Sequence, residues 1–334
     1  MTDKESTLLE QDREPVVAIC LLAALADSAR SPEEQQQLTR IAARLGEADP
    51  AALLERAQQG KITVADAARR LSSPEARREA YEMAVAVVYA DGEAGDSERA
   101  FLAGLRREMD LVDEALQAVH QDAQALARAP VTGPIPVLVP APAGPRPSQA
   151  GIPAMSHDEA IDLMIRRQAL LAGALELLPQ SLASVAIIPL QLRLVYRIGA
   201  DYGQKLDGPQ IRDLLGAMGI GAASQVMDGL ARRILSGLGR GLLGRAVGGF
   251  VGGAASVAAG AGIAFVTTYA LGHAAEQYYA QGRRLSPDDL RALFARFKGE
   301  AEALLPQVQE EIHAQSQHVD LGHVLASIRG ETAE

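Results

Sequence analysis

AVGGFVGGAASVAAGAGIAFVTTYALG, residues 246–272, contains no Asp, Glu, Lys, Arg or His. Arg232, Arg233, Arg240 and Arg245 precede it, and glycine recurs every fourth position: Gly244, Gly248 and Gly252 in one row, Gly249 and Gly253 in another. Its 27 uncharged residues are enough to cross a bilayer as a helix. Small residues at i, i+4 form a strip that a second helix can approach closely, so self-association through this helix is expected. The stretch either enters a membrane or forms the buried centre of a helical domain. Tyr269, Tyr278 and Tyr279 beyond it resemble an interfacial belt, and the arginines favour a cytoplasmic start. The low transfer energy of Gly and Ala weighs against insertion. A hairpin folding near Gly260-Ala261-Gly262 would bury the same surface inside the domain. A second span, from Val185 or Leu214, would be needed to return the acidic tail.

The whole chain has 334 residues, which predicts two domains. Val and Ile rarely alternate with polar residues, so the fold class is all-α. Residues 1–128 carry 24 acids and 15 bases; residues 157–275 carry 8 and 10. An acidic front half excludes nucleic acid as a partner, whereas a mildly basic apolar middle suits an anionic membrane surface. Cys20 is the single cysteine and falls in an apolar helical face, which predicts a buried thiol in a reducing compartment. Met1–Glu14 is charged, without the apolar core of a signal peptide, so a cytoplasmic front domain is expected.

Residues 15–128 read as short helices. Ser31-Pro32-Glu33-Glu34, Asp49-Pro50 and Ser73-Pro74-Glu75 are helix starts. An internal repeat with an offset of 64 relates Ala26-Asp27…Glu34 to Ala90-Asp91…Glu98. Ile19 and Ala23 match Met83 and Val87; Leu38, Ile41 and Leu45 match Leu102, Leu105 and Met109. Each unit is an apolar helix, an acidic turn and an amphipathic helix, and two such units can bury their apolar helices against each other.

The acidic turns are the candidate site. Asp27 and Asp91 end apolar helices, and Glu34 and Glu98 lie in the first turn of the next. Packed about a two-fold axis, the four carboxylates could converge on a hard cation, Ca²⁺, Mg²⁺ or Mn²⁺. Equally, acids at helix starts cap free N–H groups and favour the dipole. Asp91–Asp96 is not an EF-hand loop, since its sixth residue is Asp96 and its twelfth Leu102. Ala90-Asp91-Gly92…Glu98, with its copy at Asp27…Glu34, resembles the tellurite-resistance TerB-like family over about residues 15–125. That resemblance implies a compact helical domain of two related halves with a metal-binding acidic cluster. Ser28 stands where the first copy should have glycine.

Pro130–Pro153 holds eight of the 17 prolines and reads as a semi-rigid linker, 129–155. Beyond it, Ser156-His157-Asp158-Glu159 and Ser286-Pro287-Asp288-Asp289 open helices, and helices are expected over Val185–Tyr202, Ile211–Leu235 and Leu290–Leu305. Ile188-Pro189-Leu190-Gln191-Leu192-Arg193, running on to Tyr202-Gly203, and Thr267-Thr268-Tyr269-Ala270-Leu271-Gly272 resemble the YcjF-like family over about 180–300. That family is membrane-associated and occurs with bacterial small GTPases, which implies both as partners and implies no catalytic residues. Gly239–Gly244 matches GxGxxG but lacks a preceding strand and a following acid. No GxxxxGK is present, and His313, His318 and His323 are spaced around a helix rather than on one zinc face.

The expectation is therefore a non-enzymatic two-domain protein. A polar tail (1–14), a TerB-like domain (15–128), the linker, a helical domain with a glycine-rich apolar hairpin (156–305) and a polar tail (306–334) follow in order. The front domain senses or docks, and the rear domain lies on or in the cytoplasmic face of the inner membrane. The alternatives are a soluble adaptor of a GTPase and a metal-dependent hydrolase using Asp27, Glu34, Asp91 and Glu98.

Overall fold

The computed structural model describes residues 10–26, 50–90, 92–111, 114–136, 156–178, 181–220 and 253–330. Among the described residues there are twelve α-helices and no strand. The chain divides into two compact units. One comprises Met1–Arg128 with Pro179–Val185 and Ile220–Gly260; the other comprises Ala129–Leu178, Ala186–Gly219 and Ala261–Glu334.

In the front unit, a 3-10 turn at Glu10–Asp12 leads into α1 (Arg13–Leu25), followed by α2 (Pro50–Gln58), α3 (Val64–Arg70), α4 (Pro74–Val88), α5 (Asp96–Glu108) and α6 (Glu114–Ala127). Val16 to Leu21, Ala23 and Ala24 are all buried, so α1 is apolar nearly all round. Such a helix is stable only at the centre of a bundle. It packs on α2, α3, α4 and α5. The second half of α4, Met83 to Val88, is equally buried. The matched pairs Ile19/Met83 and Ala23/Val87 thus sit in the two helices that pack on each other. Leu102, Leu105 and Met109 are buried too; Leu38, Ile41 and Leu45 lie outside the described residues. Ser73 caps α4 through the Ala76 N–H at 3.0 Å, with Pro74 in the first turn.

The reading of 1–14 as a polar tail is corrected at its end. Asp12 is wholly buried, and its carboxylate accepts from the Ser72 N–H and Oγ, both at 2.7 Å. Those bonds fasten the start of α1 to the α3–α4 junction, because a buried carboxylate must find donors.

The rear unit contains α7 (His157–Glu176), most of α8 (Ser181–Asp201), α9 (Gly208–Ala217), most of α10 (Gly253–Ala280), α11 (Pro287–Ser316) and α12 (Leu321–Arg329). Capping boxes open α7 at Ser156/Glu159, α9 at Asp207/Gln210 and α11 at Ser286/Asp289. Ala169 and Leu170 of α7, Phe265 and Val266 of α10, and Ala301, Val308 and Ile312 of α11 form the core.

Three expectations change here. The hairpin near Gly260–Gly262 is absent, because α10 runs without a turn through those residues. Its glycines serve close packing instead. A Cβ on Gly262 would stand 2.5 Å from Leu305, and one on Gly272 would stand 2.7 Å from Ile165. The expected tail is also structured over residues 306–330. The helix continues through Pro306 and buries Val308 and Ile312, and α12 buries Val324, Leu325 and Ile328. That burial offsets the proline's lost hydrogen bond, a cost of about 3 kcal/mol. Finally, α9 stops at Ala217, with Gly219 at φ 80°, so the helix expected from Ile211 breaks there; residues 221–235 of that expectation lie outside the described residues.

Among the described residues no helix is long and apolar enough to cross a membrane. Residues 246–252, with Gly244, Gly248, Gly249 and Gly252 of the proposed strip, lie outside the described residues.

Candidate functional site

The corner between α4 and α5 carries the second acidic turn. The helix ends at Val88, and the Gly92 N–H turns back to the Tyr89 carbonyl, with Gly92 at φ 129°. Only glycine takes that conformation without strain. Gly95 then caps α5, and the Glu98 carboxylate accepts its N–H at 2.8 Å. One expected ligand oxygen is therefore engaged in capping. Asp27, Glu34 and Asp91 lie outside the described residues. Among the described residues no three His, Cys, Asp or Glu side chains gather tightly enough to hold a metal ion.

Cations cover the corner's other acids. Arg99 pairs with Asp96 and donates to the Ala94 carbonyl, and Arg128 Nε lies 3.1 Å from Glu93. Beneath them, the Tyr89 hydroxyl and His120 Nε2 are 3.0 Å apart, with the rings edge to face at 5.3 Å. Burial lowers the His120 pKa, helped by the Arg106 charge. Burial raises that of the Tyr89 hydroxyl. Both groups are therefore held neutral, and the tyrosine donates to the histidine. Neither residue carried a signal at the level of sequence.

A cleft of about 250 Å³ opens between α1, α2 and α3. Arg56, Lys61, Arg70, Glu14 and Asp66 form its rim over Leu53 and Ala67. Arg70 forms a two-pronged pair with Glu14, one bond of 2.9 Å, and Asp66 pairs with Arg69 and accepts from Thr63 Oγ1 at 2.7 Å. Opposite charges here satisfy each other, across helices for Glu14–Arg70 and within α3 for Asp66–Arg69.

Apart from Asp12, the buried polar groups among the described residues lie in the rear unit. Arg193, 1% exposed, is bonded to backbone carbonyls. Gln191 donates to Thr268 at 3.1 Å, and Gln168 donates to the Pro136 carbonyl at 3.0 Å. Ordered groups of this kind join helices and strap; no nucleophile stands beside an activating base among them.

Residues 9–121 match the family model described as tellurite resistance protein TerB. That match supports a TerB-like domain at the front of the chain. No curated protein and no solved structure matches the chain. The resemblance of residues 180–300 to the YcjF-like family is not supported by these comparisons.

Proposed function

We propose that this chain is a non-enzymatic adaptor of the tellurite-resistance or stress-response kind. Its TerB domain senses or docks, and its rear helical unit attaches to the cytoplasmic face of the inner membrane. The observation that carries the reading is the TerB match over residues 9–121. In this reading Asp27, Glu34, Asp91 and Glu98 take a divalent cation, Ca²⁺, Mg²⁺ or Mn²⁺, whose oxygen preference fits carboxylates. The bound ion orders the acidic corner as a docking surface for a protein partner. Peripheral attachment is favoured over spanning because α10 places Phe265, Val266 and Ala270 in its own unit's core rather than outward.

A soluble adaptor of a small GTPase is the second reading. The same burial of Phe265, Val266 and Ala270 supports it, since side chains covered by their own unit need no lipid. Two measurements separate the readings. Membranes washed with high salt and then carbonate should release the chain at the salt step; a chain found wholly in the soluble fraction supports the second reading. Calorimetry of the full chain with each cation should give binding that Asp91→Ala removes. Unchanged binding in that variant would exclude the acidic corner.

A further inference from the structure

Arg56 and Lys61 stand on one turn, the end of α2. The Lys61 N–H donates to the Arg56 carbonyl at 2.8 Å and the Gly60 N–H to the Ala57 carbonyl at 3.1 Å, with Gly60 at φ 68°. That pair of bonds is the Schellman closure of a helix, and it folds the chain back over the last turn it leaves. Both side chains line the cleft of about 250 Å³ between α1, α2 and α3.

The carboxylates on the rim are already engaged. Glu14 Oε1 and Oε2 each accept from one terminal nitrogen of Arg70. Asp66 Oδ1 accepts from Arg69, and Oδ2 accepts from Thr63 Oγ1. Four cations thus meet two carboxylates, and the pair left over is Arg56 and Lys61. Among the described residues, neither of those side chains makes a hydrogen bond or an ion pair. The Arg56 charge does act on the Glu14 carboxylate, which places it at the same rim. This positive surplus is local, since residues 1–128 as a whole carry 24 acids against 15 bases.

We propose that the cleft binds a small phosphate monoester, with the Arg56 guanidinium and the Lys61 ammonium on its phosphate. Such a group carries about −1.5 to −2 charges at neutral pH. That matches two free cations, where a single carboxylate would leave one over. A guanidinium grips phosphate through two parallel N–H bonds, and an ammonium adds a point charge. Ala18, Leu53 and Ala67 are buried beneath. Water is shut out on that side, and charge contacts strengthen where the dielectric falls. The space exceeds one phosphate group but is smaller than the pockets of about 300–1,000 Å³ that hold drug-sized ligands. The occupant is therefore a short molecule with a body of a few carbon and oxygen atoms. This seat takes an anion and lies away from the α4–α5 corner, so it is independent of the cation reading of that corner.

The test is calorimetry of the full chain at low salt in phosphate-free buffer, with glycerol 3-phosphate as the probe. One equivalent should bind at millimolar probe, and uncharged glycerol should not bind. Arg56→Gln and Lys61→Gln, both at exposed positions, should each weaken binding about ten- to hundredfold. Arg56→Lys should recover part of the loss, because an ammonium keeps the charge without the fork. Lys298→Gln removes an exposed cation of the rear unit and should leave the affinity unchanged. Equal affinity in the wild type and the Arg56→Gln/Lys61→Gln double variant overturns the proposal, because the anion would then sit elsewhere, as on Arg283 and Arg284. Equal binding of glycerol, or no saturable binding of glycerol 3-phosphate at tens of millimolar, overturns it as well. A short phosphoserine peptide that bound at least about tenfold tighter would assign the phosphate to a partner protein and overturn the small-molecule occupant.

Discussion

Arg193 Nη1 stands 2.6 Å from the carbonyl oxygen of Pro134. The same guanidinium donates through Nε to the Pro130 carbonyl at 3.1 Å and through its two terminal nitrogens to Ser327, at 3.2 Å, and Ile328. One buried cation thus gathers the start of the proline-rich segment and the C-terminal turn of α12. Carbonyl oxygens at a helix C-terminus carry partial negative charge and have no partners within the helix, so they suit a guanidinium fork. Burial lowers the arginine's pKa, yet a guanidinium stays charged in proteins.

Replacing that arginine should loosen both segments at once. Arg193→Met removes the donors and leaves carbonyl groups buried without partners, at a cost of about 3 kcal/mol or more. Arg193→Lys should recover only part of this, since one ammonium cannot fork to carbonyls on two sides. Denaturant unfolding of the full chain, compared among the three proteins, measures the difference. Equal midpoints for Arg193→Met and the wild type would show that the clasp contributes nothing.

Gly133 tests the same clasp from the other side. A Cβ there would stand 2.5 Å from Arg193 Nη2 and 2.6 Å from Cζ. The guanidinium is held by its carbonyls and cannot swing aside freely. Gly133→Ala should therefore destabilise the rear unit by about 1–3 kcal/mol, the usual range for overpacking. Gly104→Ala is the control, because nothing lies within 4 Å of its added methyl. The helical environment should make that change neutral or stabilising in the same thermal melt.

These contacts mark the limit of what a linear reading reaches. Ser73-Pro74, Ser156…Glu159 and Ser286…Asp289 announce their helices because a cap is local: donor, acceptor and signal lie within four residues. The apolar runs of α1 and α4 announce the core of the front unit for the same reason. Gly262 misleads, since isolated from its partner it suggests a turn. Leu305, which needs the space, comes from another helix, as Ile165 does against Gly272. Pro306 suggests a stop, but the burial of Val308 and Ile312 decides otherwise. Asp12 with Ser72, and Arg193 with Pro134, are pairs distant in sequence and leave no periodic trace. Of the candidate acidic site, Glu98 falls among the described residues, where it caps a helix.

Asp12 itself offers a sharp test. Asp12→Ala would strip the Ser72 N–H and hydroxyl of their acceptor inside the protein. The expected loss is about 1–3 kcal/mol, seen as a lower denaturant midpoint for the front unit. Asp12→Asn keeps one acceptor oxygen and should lose less. An Asp12→Ala protein as stable as the wild type would mean water replaces the carboxylate without cost.

The Glu14–Arg70 pair at the cleft predicts a small acid dependence. The Arg70 hydrogen bond, above all, lowers the Glu14 pKa. A carboxyl whose folded pKa lies below its unfolded value stabilises the fold above the unfolded value, and that stability is lost as pH falls through the folded one. Both side chains are about half exposed, 52% and 45%. Solvent screening therefore limits the contribution to about 0.2–1 kcal/mol. Glu14→Gln should match the wild type at low pH and fall below it by that amount at neutral pH. Added salt should narrow the gap.

His120 should give a second pH effect, nearer neutrality. Burial, with Arg106 beside it, depresses its folded pKa below the ordinary histidine value. The unfolded chain therefore binds the proton more readily. Stability is complete above the unfolded pKa, near 6.5, and declines as pH falls from there through the folded pKa. Protonation also removes the acceptor for the Tyr89 hydroxyl, since both ring nitrogens become donors. Melting temperature measured from pH 7.5 down to 5.5 should fall in the wild type. His120→Gln has no titrating ring and should lose this slope, while starting less stable at pH 7.5 because the Tyr89 bond is weakened. Tyr89→Phe should keep the slope, because desolvation of the imidazole, rather than the hydroxyl bond, sets the shift. Parallel slopes in the wild type and His120→Gln would place the titrating group elsewhere in the chain.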